Sequence, residues 1–135
     1  MKIRQVTLNY LEDELFHYHD TIREIDRIRT DIIMQGKQEE SGVRGSNISD
    51  PTSRIAIELS TNLRLERLLR ISIVIQEIIN RLQPEKKRLI QIMYWDRPRI
   101  LTWQGAAIKL HITKRTAFRW RKEILHAIAE RGGFY

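Results

Sequence analysis

A cluster of basic and aromatic side chains near the C-terminal end has the clearest potential for chemistry. Its members lie close together in the sequence: Lys114, Arg115, Phe118, Arg119 and Lys122. Arginine and lysine can donate paired hydrogen bonds to O6 and N7 of guanine, and the edge of a phenylalanine ring can pack on a thymine methyl group. These residue types therefore point to contact with double-stranded DNA.

The charge of the chain is unevenly distributed. The 135 residues carry a formal net charge of +7. Residues 1–83 hold 12 basic and 13 acidic side chains, whereas residues 84–135 hold 12 basic and 4 acidic ones. A localised basic surface attracts polyanions, because each neutralised phosphate releases condensed counterions. A solvated charged face is the alternative interpretation. The excess positive charge lies in the same segment as the basic and aromatic cluster, however, and this favours a nucleic-acid partner.

The segment 102–123 has the pattern of a helix-turn-helix, which would hold this cluster outward. It combines a capping threonine before each helix, small residues where the helices cross and apolar residues around a tight turn: Thr102 and Thr113, Ala106 and Ala107, Leu110 and Ile112. Ala117, Trp120 and Ile124 form the buried side of the second helix, which runs to about Arg131. A recognition helix presents its first turns to the floor of the major groove.

Two sets of DNA contacts are expected from this arrangement. Contacts with base edges are assigned to Lys114, Arg115, Phe118 and Arg119. Contacts with phosphate, which set register and affinity without reading the sequence, are assigned to Thr102, Lys109, Thr113 and Lys122, with Arg97 and Arg99 beside the motif.

Two long helices are expected before the motif. The first spans 7–34 and carries apolar residues at heptad spacing: Leu8, Leu11, Leu15, Tyr18, Ile22 and Ile25. The second spans 52–82 with a similar stripe: Leu68, Ile71, Ile75, Ile78 and Leu82. Such seams are typical of a coiled coil or a helical hairpin, within the chain or with a partner. A loop near 35–50 connects the helices, and Asp50-Pro51 begins the second one.

The predicted fold class is therefore all-α, with two parts. Residues 1–83 form a long-helix hairpin that serves interaction or oligomerisation. Residues 84–135 form the DNA-binding domain. This domain begins with a short helix from Pro84 to about Trp95, followed by a basic connector and the helix-turn-helix.

No catalytic, cofactor or metal site is expected. The chain has no cysteine, no glycine-rich phosphate loop and no nucleophile elbow. His17 and His19 are two residues apart, and such positions on a helix do not face each other, so they make a poor metal pair. No apolar run reaches the roughly 18 residues of a membrane span, and no secretory signal is seen. We expect a non-enzymatic, intracellular protein.

Four stretches of the chain match the pattern of a known family: 47–54, 84–95, 101–107 and 113–124. The most specific combination is Leu-Thr-Trp at 101–103 with Lys-Arg-Thr-Ala-Phe-Arg-Trp-Arg at 114–121. Together with the long N-terminal helix, these stretches resemble the RinA-type phage late-gene transcriptional activators. Residues 84–135 also resemble, less specifically, the promoter-binding region 4 of bacterial sigma factors.

The resemblance implies a phage-encoded activator in the cytoplasm of a Gram-positive bacterial host. Such a protein binds promoter DNA upstream of the packaging and late structural genes, and we expect it to contact host RNA polymerase. The DNA-reading positions implied are Lys114, Arg115, Thr116, Phe118, Arg119 and Arg121. Of these, Thr116 joins the expected base contacts and Arg121 the expected contacts with the DNA backbone. The apolar seam is also compatible with pairing between two copies of the chain, so a homodimer is a further possible assembly.

Two other functions stay open at this point. A small terminase-like packaging component also joins a helix-turn-helix to an oligomerising helical part. A sigma-like subunit of RNA polymerase would use the same DNA-binding region, although no helices suited to the −10 element are seen. A ring of many subunits would favour packaging, whereas co-purification with core polymerase would favour the sigma-like function.

Overall fold

A computed structural model of the chain describes residues 2–40 and 51–135, and every regular element in these ranges is helical. The helices are α1 (Gln5–Phe16), α2 (Tyr18–Glu40), α3 (Pro51–Arg81), α4 (Pro84–Ile90), α5 (Trp103–Lys109) and α6 (Lys114–Gly132), with a π-helical segment, Gln91–Trp95, directly after α4. The all-α prediction is confirmed. No helix in the described part of the chain is both long and apolar enough to cross a bilayer.

The predicted connection between the two long helices is only partly described. The predicted loop near 35–50 begins later than expected, because α2 continues to Glu40. The rest of the predicted loop and the expected cap Asp50 lie outside the described residues. Pro51 is the first residue of α3, as its fixed φ angle favours.

The chain divides into two units. The first joins Met1–His19 to Ile71–Tyr135, and the second is Asp20–Arg70. In the first unit, α1 and the end of α3 pack with the helices of the segment 84–135. A separate DNA-binding domain at 84–135 therefore stays a prediction, as does the hairpin at 1–83.

The predicted single helix at 7–34 is wrong, because the chain turns at His17 between α1 and α2. Two distant side chains bond to the last carbonyl groups of α1. The indole N–H of Trp95 donates to the carbonyl of Leu15 at 3.0 Å, and Arg97 donates to that of Phe16 at 3.0 Å. These bonds satisfy carbonyl groups that lack intrahelical partners where a helix ends.

An apolar core fills the first unit. Its most completely buried large side chains are Leu11, Leu15, Ile75, Leu89, Ile90, Met93 and Ile128. The expected stripes are confirmed here, since Leu8, Leu11 and Leu15 are buried together with Ile71, Ile75 and Ile78. Full burial of a leucine or isoleucine side chain contributes about 1.5–3 kcal/mol, so this core dominates the stability of the unit.

The second unit brings segments of α2 and α3 side by side. Nη2 of Arg64 on α3 lies 2.9 Å from a carboxylate oxygen of Glu24 on α2. Both helices line an open cleft of about 510 Å³. On α2 the buried residues are Thr21, Ile25 and Ile28. Of the expected stripe, Ile25 is therefore buried, whereas Ile22 is only partly buried.

Candidate nucleic-acid interface

Threonine caps begin both helices of the candidate interface, as predicted. The side-chain oxygen of Thr102 accepts a hydrogen bond from the backbone N–H of Gly105 at 3.1 Å, which starts α5. The side-chain oxygen of Thr113 accepts from the backbone N–H of Thr116 at 3.1 Å, which starts α6. Each bond satisfies an amide with no partner inside its helix.

The turn between α5 and α6 is tight and places an unusual residue at its centre. His111 has a φ of 58°, in the left-handed region, which costs a residue with a Cβ about 1–2 kcal/mol. The backbone N–H of Ile112 donates to the carbonyl of Ala107 at 3.0 Å. Leu110 is buried on the inner side, so burial and hydrogen bonding together hold the turn.

Small residues let α5 and α6 approach closely. Ala106, Ala107 and Ala117 are almost completely excluded from solvent. Ile124 is buried beside them, and Trp120 is partly buried against the same core. The predicted buried side of α6 is confirmed, and it determines which side chains face solvent.

The solvent-facing side of α6 carries most of the predicted DNA-contacting residues. Lys114, Arg115, Arg119 and Lys122 are all exposed. Residues 114, 115, 118, 119 and 122 share one face of a helix because their spacing follows its period of 3.6 residues. We call this set of five side chains the basic face. Four of its five side chains are cationic, and all five are exposed.

Phe118 lies on the basic face with one side of its ring covered. Its side chain is 37% exposed. The ring stacks on Trp103 of α5, and the ammonium group of Lys114 lies 5.7 Å from its centroid. Phe118 is thus neither a core residue nor a freely moving one, and its exposed edge is available for an apolar contact.

The remaining predicted contact residues surround this face unevenly. Thr102 and Thr113 are exposed at the starts of α5 and α6, Lys109 is exposed at the end of α5, and Thr116 is partly covered. Arg99 is exposed in the connector before α5. Arg97 donates to the carbonyl groups of Tyr94 and Phe16, so it also has a structural role. Their contacts with DNA stay predictions.

Arg121 faces α1 instead of the basic face. Its Nε and Nη2 donate to the two carboxylate oxygens of Glu12 at 2.5 and 2.7 Å. The hydroxyl of Tyr94 donates to Glu12 Oε2 at 2.6 Å. Burial alone would raise the pKa of Glu12, but the hydrogen bonds from Arg121 and Tyr94 outweigh it, so the pKa lies below its ordinary value.

Three functional candidates were missed by the sequence reasoning. The sequence patterns give no functional role to Glu12 or Tyr94. Glu123, which was not singled out, lies beside two cations on α6 and α4. Only Glu123 had a local signal, because it follows Arg119 by four residues on a helix.

Comparisons with known proteins cover nearly the whole chain. "Transcriptional activator rinA" of Staphylococcus phage phi11 is 24% identical over 130 residues, which cover 94% of this chain and 91% of that protein. No solved structure matches. A family described as "Protein of unknown function (DUF722)" matches residues 4–130. Because this match spans far more than half of the chain, the protein belongs to the DUF722 family.

Proposed function

We propose that the protein is a phage transcriptional activator that binds promoter DNA through the basic face. Its similarity to the protein named "Transcriptional activator rinA" supports the activator function. The single observation that carries DNA binding is the set of four exposed cations on α6, above a buried apolar seam. A rigid helix with cations on one side fits the major groove.

The proposed mechanism separates base reading from phosphate contact. The first turns of α6 enter the major groove, where Lys114, Arg115 and Arg119 donate to base edges. The ring edge of Phe118 and the methyl group of Thr116 pack on thymine methyl groups. Phosphate contacts around the groove come from Arg97, Arg99, Thr102, Lys109, Thr113 and Lys122, and they set the register of the helix.

The proposal also names a DNA target and a protein partner for the activator. We place the binding site at the promoter of the late and packaging genes, as the resemblance implies. Activation requires a contact with host RNA polymerase, and we assign it to the unit Asp20–Arg70. Its exposed apolar side chains, such as Ile57, Leu59 and Leu63, are typical of a protein interface. A second copy of the chain is the alternative partner for this surface.

A footprint on the DNA that flanks the protein's own gene tests the DNA-binding proposal. We expect a protected site that excess random DNA does not abolish at low salt. Arg115→Ala and Arg119→Ala should each weaken binding by about 1–3 kcal/mol and relax specificity at one position. Arg67→Ala, an exposed arginine on α3, is the matched control and should bind normally. Equal displacement by specific and random competitor would overturn sequence-specific activation.

The mass of the free protein separates this function from its alternatives. A monomer or dimer in light scattering is expected for an activator. A ring of many copies would instead indicate a packaging component. Stable co-purification with core RNA polymerase, together with initiation that depends on the protein as a subunit, would indicate a sigma-like factor.

A further inference from the structure

Two arginines of α6 have opposite surroundings although they are two residues apart. Positions i and i+2 of an α-helix point about 160° apart. The side chain of Arg119 is 64% exposed on the basic face. The side chain of Arg121 is 32% exposed and is paired with Glu12, which is 26% exposed.

The pairing of Arg121 with Glu12 is bidentate. Both carboxylate oxygens of Glu12 accept from the guanidinium, and one of them also accepts from the hydroxyl of Tyr94. The guanidinium also lies 5.3 Å from the ring of Trp103. A bidentate pair of this kind is both stronger and more directional than a single charge contact. Moving Arg121 to a phosphate would leave a half-buried carboxylate without its cation, which is strongly unfavourable.

The start of α1 and the residue before it are also bonded to Tyr135, which follows α6. The hydroxyl of Thr7 donates to the carbonyl of Tyr135 at 2.6 Å, and Nε of Arg4 donates to the same oxygen at 3.3 Å. Glu12 contacts the first half of α6 through Arg121. Residues earlier in α1 therefore contact residues later in the C-terminal segment, so the two segments lie antiparallel and are held at both ends.

From these contacts we infer that Arg121 is a positioning residue, which orients the basic face through Glu12 and does not contact phosphate. The inference rests on the proposed function, because the face it orients is the proposed DNA-binding face. It gives α1 a part in DNA recognition. Loosening the Glu12 bond lets α6 tilt against α1, so the side chains of the basic face no longer meet base edges together.

The substitution Glu12→Gln separates the two roles by the sign of its effect. If Arg121 is a positioning residue, Glu12→Gln weakens binding to the footprinted site by about 2- to 30-fold, the range typical of coupling through a packed network. Arg121→Gln should weaken binding similarly. If Arg121 contacts phosphate, Glu12→Gln frees a cation and tightens binding, and this outcome would overturn the inference.

The salt dependence of binding gives a second readout that a structural defect does not imitate. Each lost phosphate contact reduces the magnitude of the slope of log K against log salt by about 0.9. A lower slope here means a weaker dependence on salt. We expect Arg121→Gln and Glu12→Gln to leave this slope unchanged. Lys122→Gln, which removes a proposed phosphate contact from the same helix, is the control and should lower it. A lowered slope for Arg121→Gln would contradict the assignment.

A thermal double-mutant cycle tests the Glu12–Arg121 coupling without DNA. We expect each single variant to lower the unfolding midpoint and the double variant to lower it by less than the sum, because the two residues share one interaction. Additive shifts would overturn the coupling. If the wild type binds no DNA, the proposed function fails, while this cycle still decides whether Glu12 holds Arg121. Glu12→Asp and Arg121→Lys, which keep the charges, serve if the glutamine variants do not fold.

Discussion

The carboxylate of Glu123 on α6 lies 3.3 Å from the ammonium group of Lys86 on α4. The same side chain lies 3.7 Å from Nε of Arg119. One acidic group at the edge of the basic face therefore offsets two cations, one of which is assigned to base reading. The negative charge beside Arg119 weakens the attraction of this edge for a phosphate, which disfavours contacts that depend on charge alone.

Replacement of Glu123 by glutamine should raise affinity for random DNA more than affinity for the specific site. The change removes a negative charge and releases Lys86 and Arg119 for phosphate contacts. Each additional contact steepens the salt dependence by about 0.9 in slope, which fluorescence anisotropy over a salt series measures. Glu130→Gln, which makes the same charge change at an exposed position later in α6, is the control. Equal effects of the two substitutions would show that only net charge matters.

Removal of the cap at the start of α6 should destabilise the basic face. Thr113→Ala removes the acceptor for the backbone N–H of Thr116. The expected cost is about 0.5–2 kcal/mol in the free energy of unfolding, as for other N-caps. Urea unfolding measures this loss, and Thr113→Ser, which keeps the hydroxyl, should recover most of it. An alanine variant as stable as the wild type would show that the cap contributes little here.

Enlarging a side chain between α5 and α6 should separate the two helices. Ala106 is completely buried, so Ala106→Leu forces extra volume into a packed contact at a cost of about 1–3 kcal/mol. Gln104→Leu adds a leucine at an exposed position of the same helix and should be close to neutral. Thermal unfolding compares the two variants, and equal midpoints would contradict the close approach of α5 and α6.

Acid should weaken the first unit through Glu12. Its folded-state pKa is held below the ordinary value of 4.5, because the hydrogen bonds from Arg121 and Tyr94 outweigh its burial. The unfolded chain therefore binds the proton more readily, and stability increases with pH through this window. The contribution is complete above about pH 4.5 and is lost as pH falls through the folded-state value. Unfolding midpoints measured from pH 6 to about pH 3 should fall less steeply for Glu12→Gln than for the wild type.

Local patterns in the sequence predicted much of this interface. Thr102 and Thr113 each accept a hydrogen bond from an amide three residues later. The apolar residues at helical spacing on α6 predict which of its cations face solvent. The turn at His17 had no such signal. The side chains that bond to the last carbonyl groups of α1, Trp95 and Arg97, are about 80 residues away in the chain. The role of Arg121 was hidden for the same reason, since Glu12 lies 109 residues before it. A residue type and its spacing do not reveal a distant partner.

The first unit is discontinuous in the chain, and this has a consequence for its assembly. During synthesis α1 leaves the ribosome well before α6, so Glu12 exists for most of translation without Arg121. Closing such a long loop carries an entropic cost before any contact compensates it, and contacts between distant residues slow folding. The first unit therefore cannot complete its core until α6 has been made. The order in which the unit folds is thereby tied to the late synthesis of one of its helices.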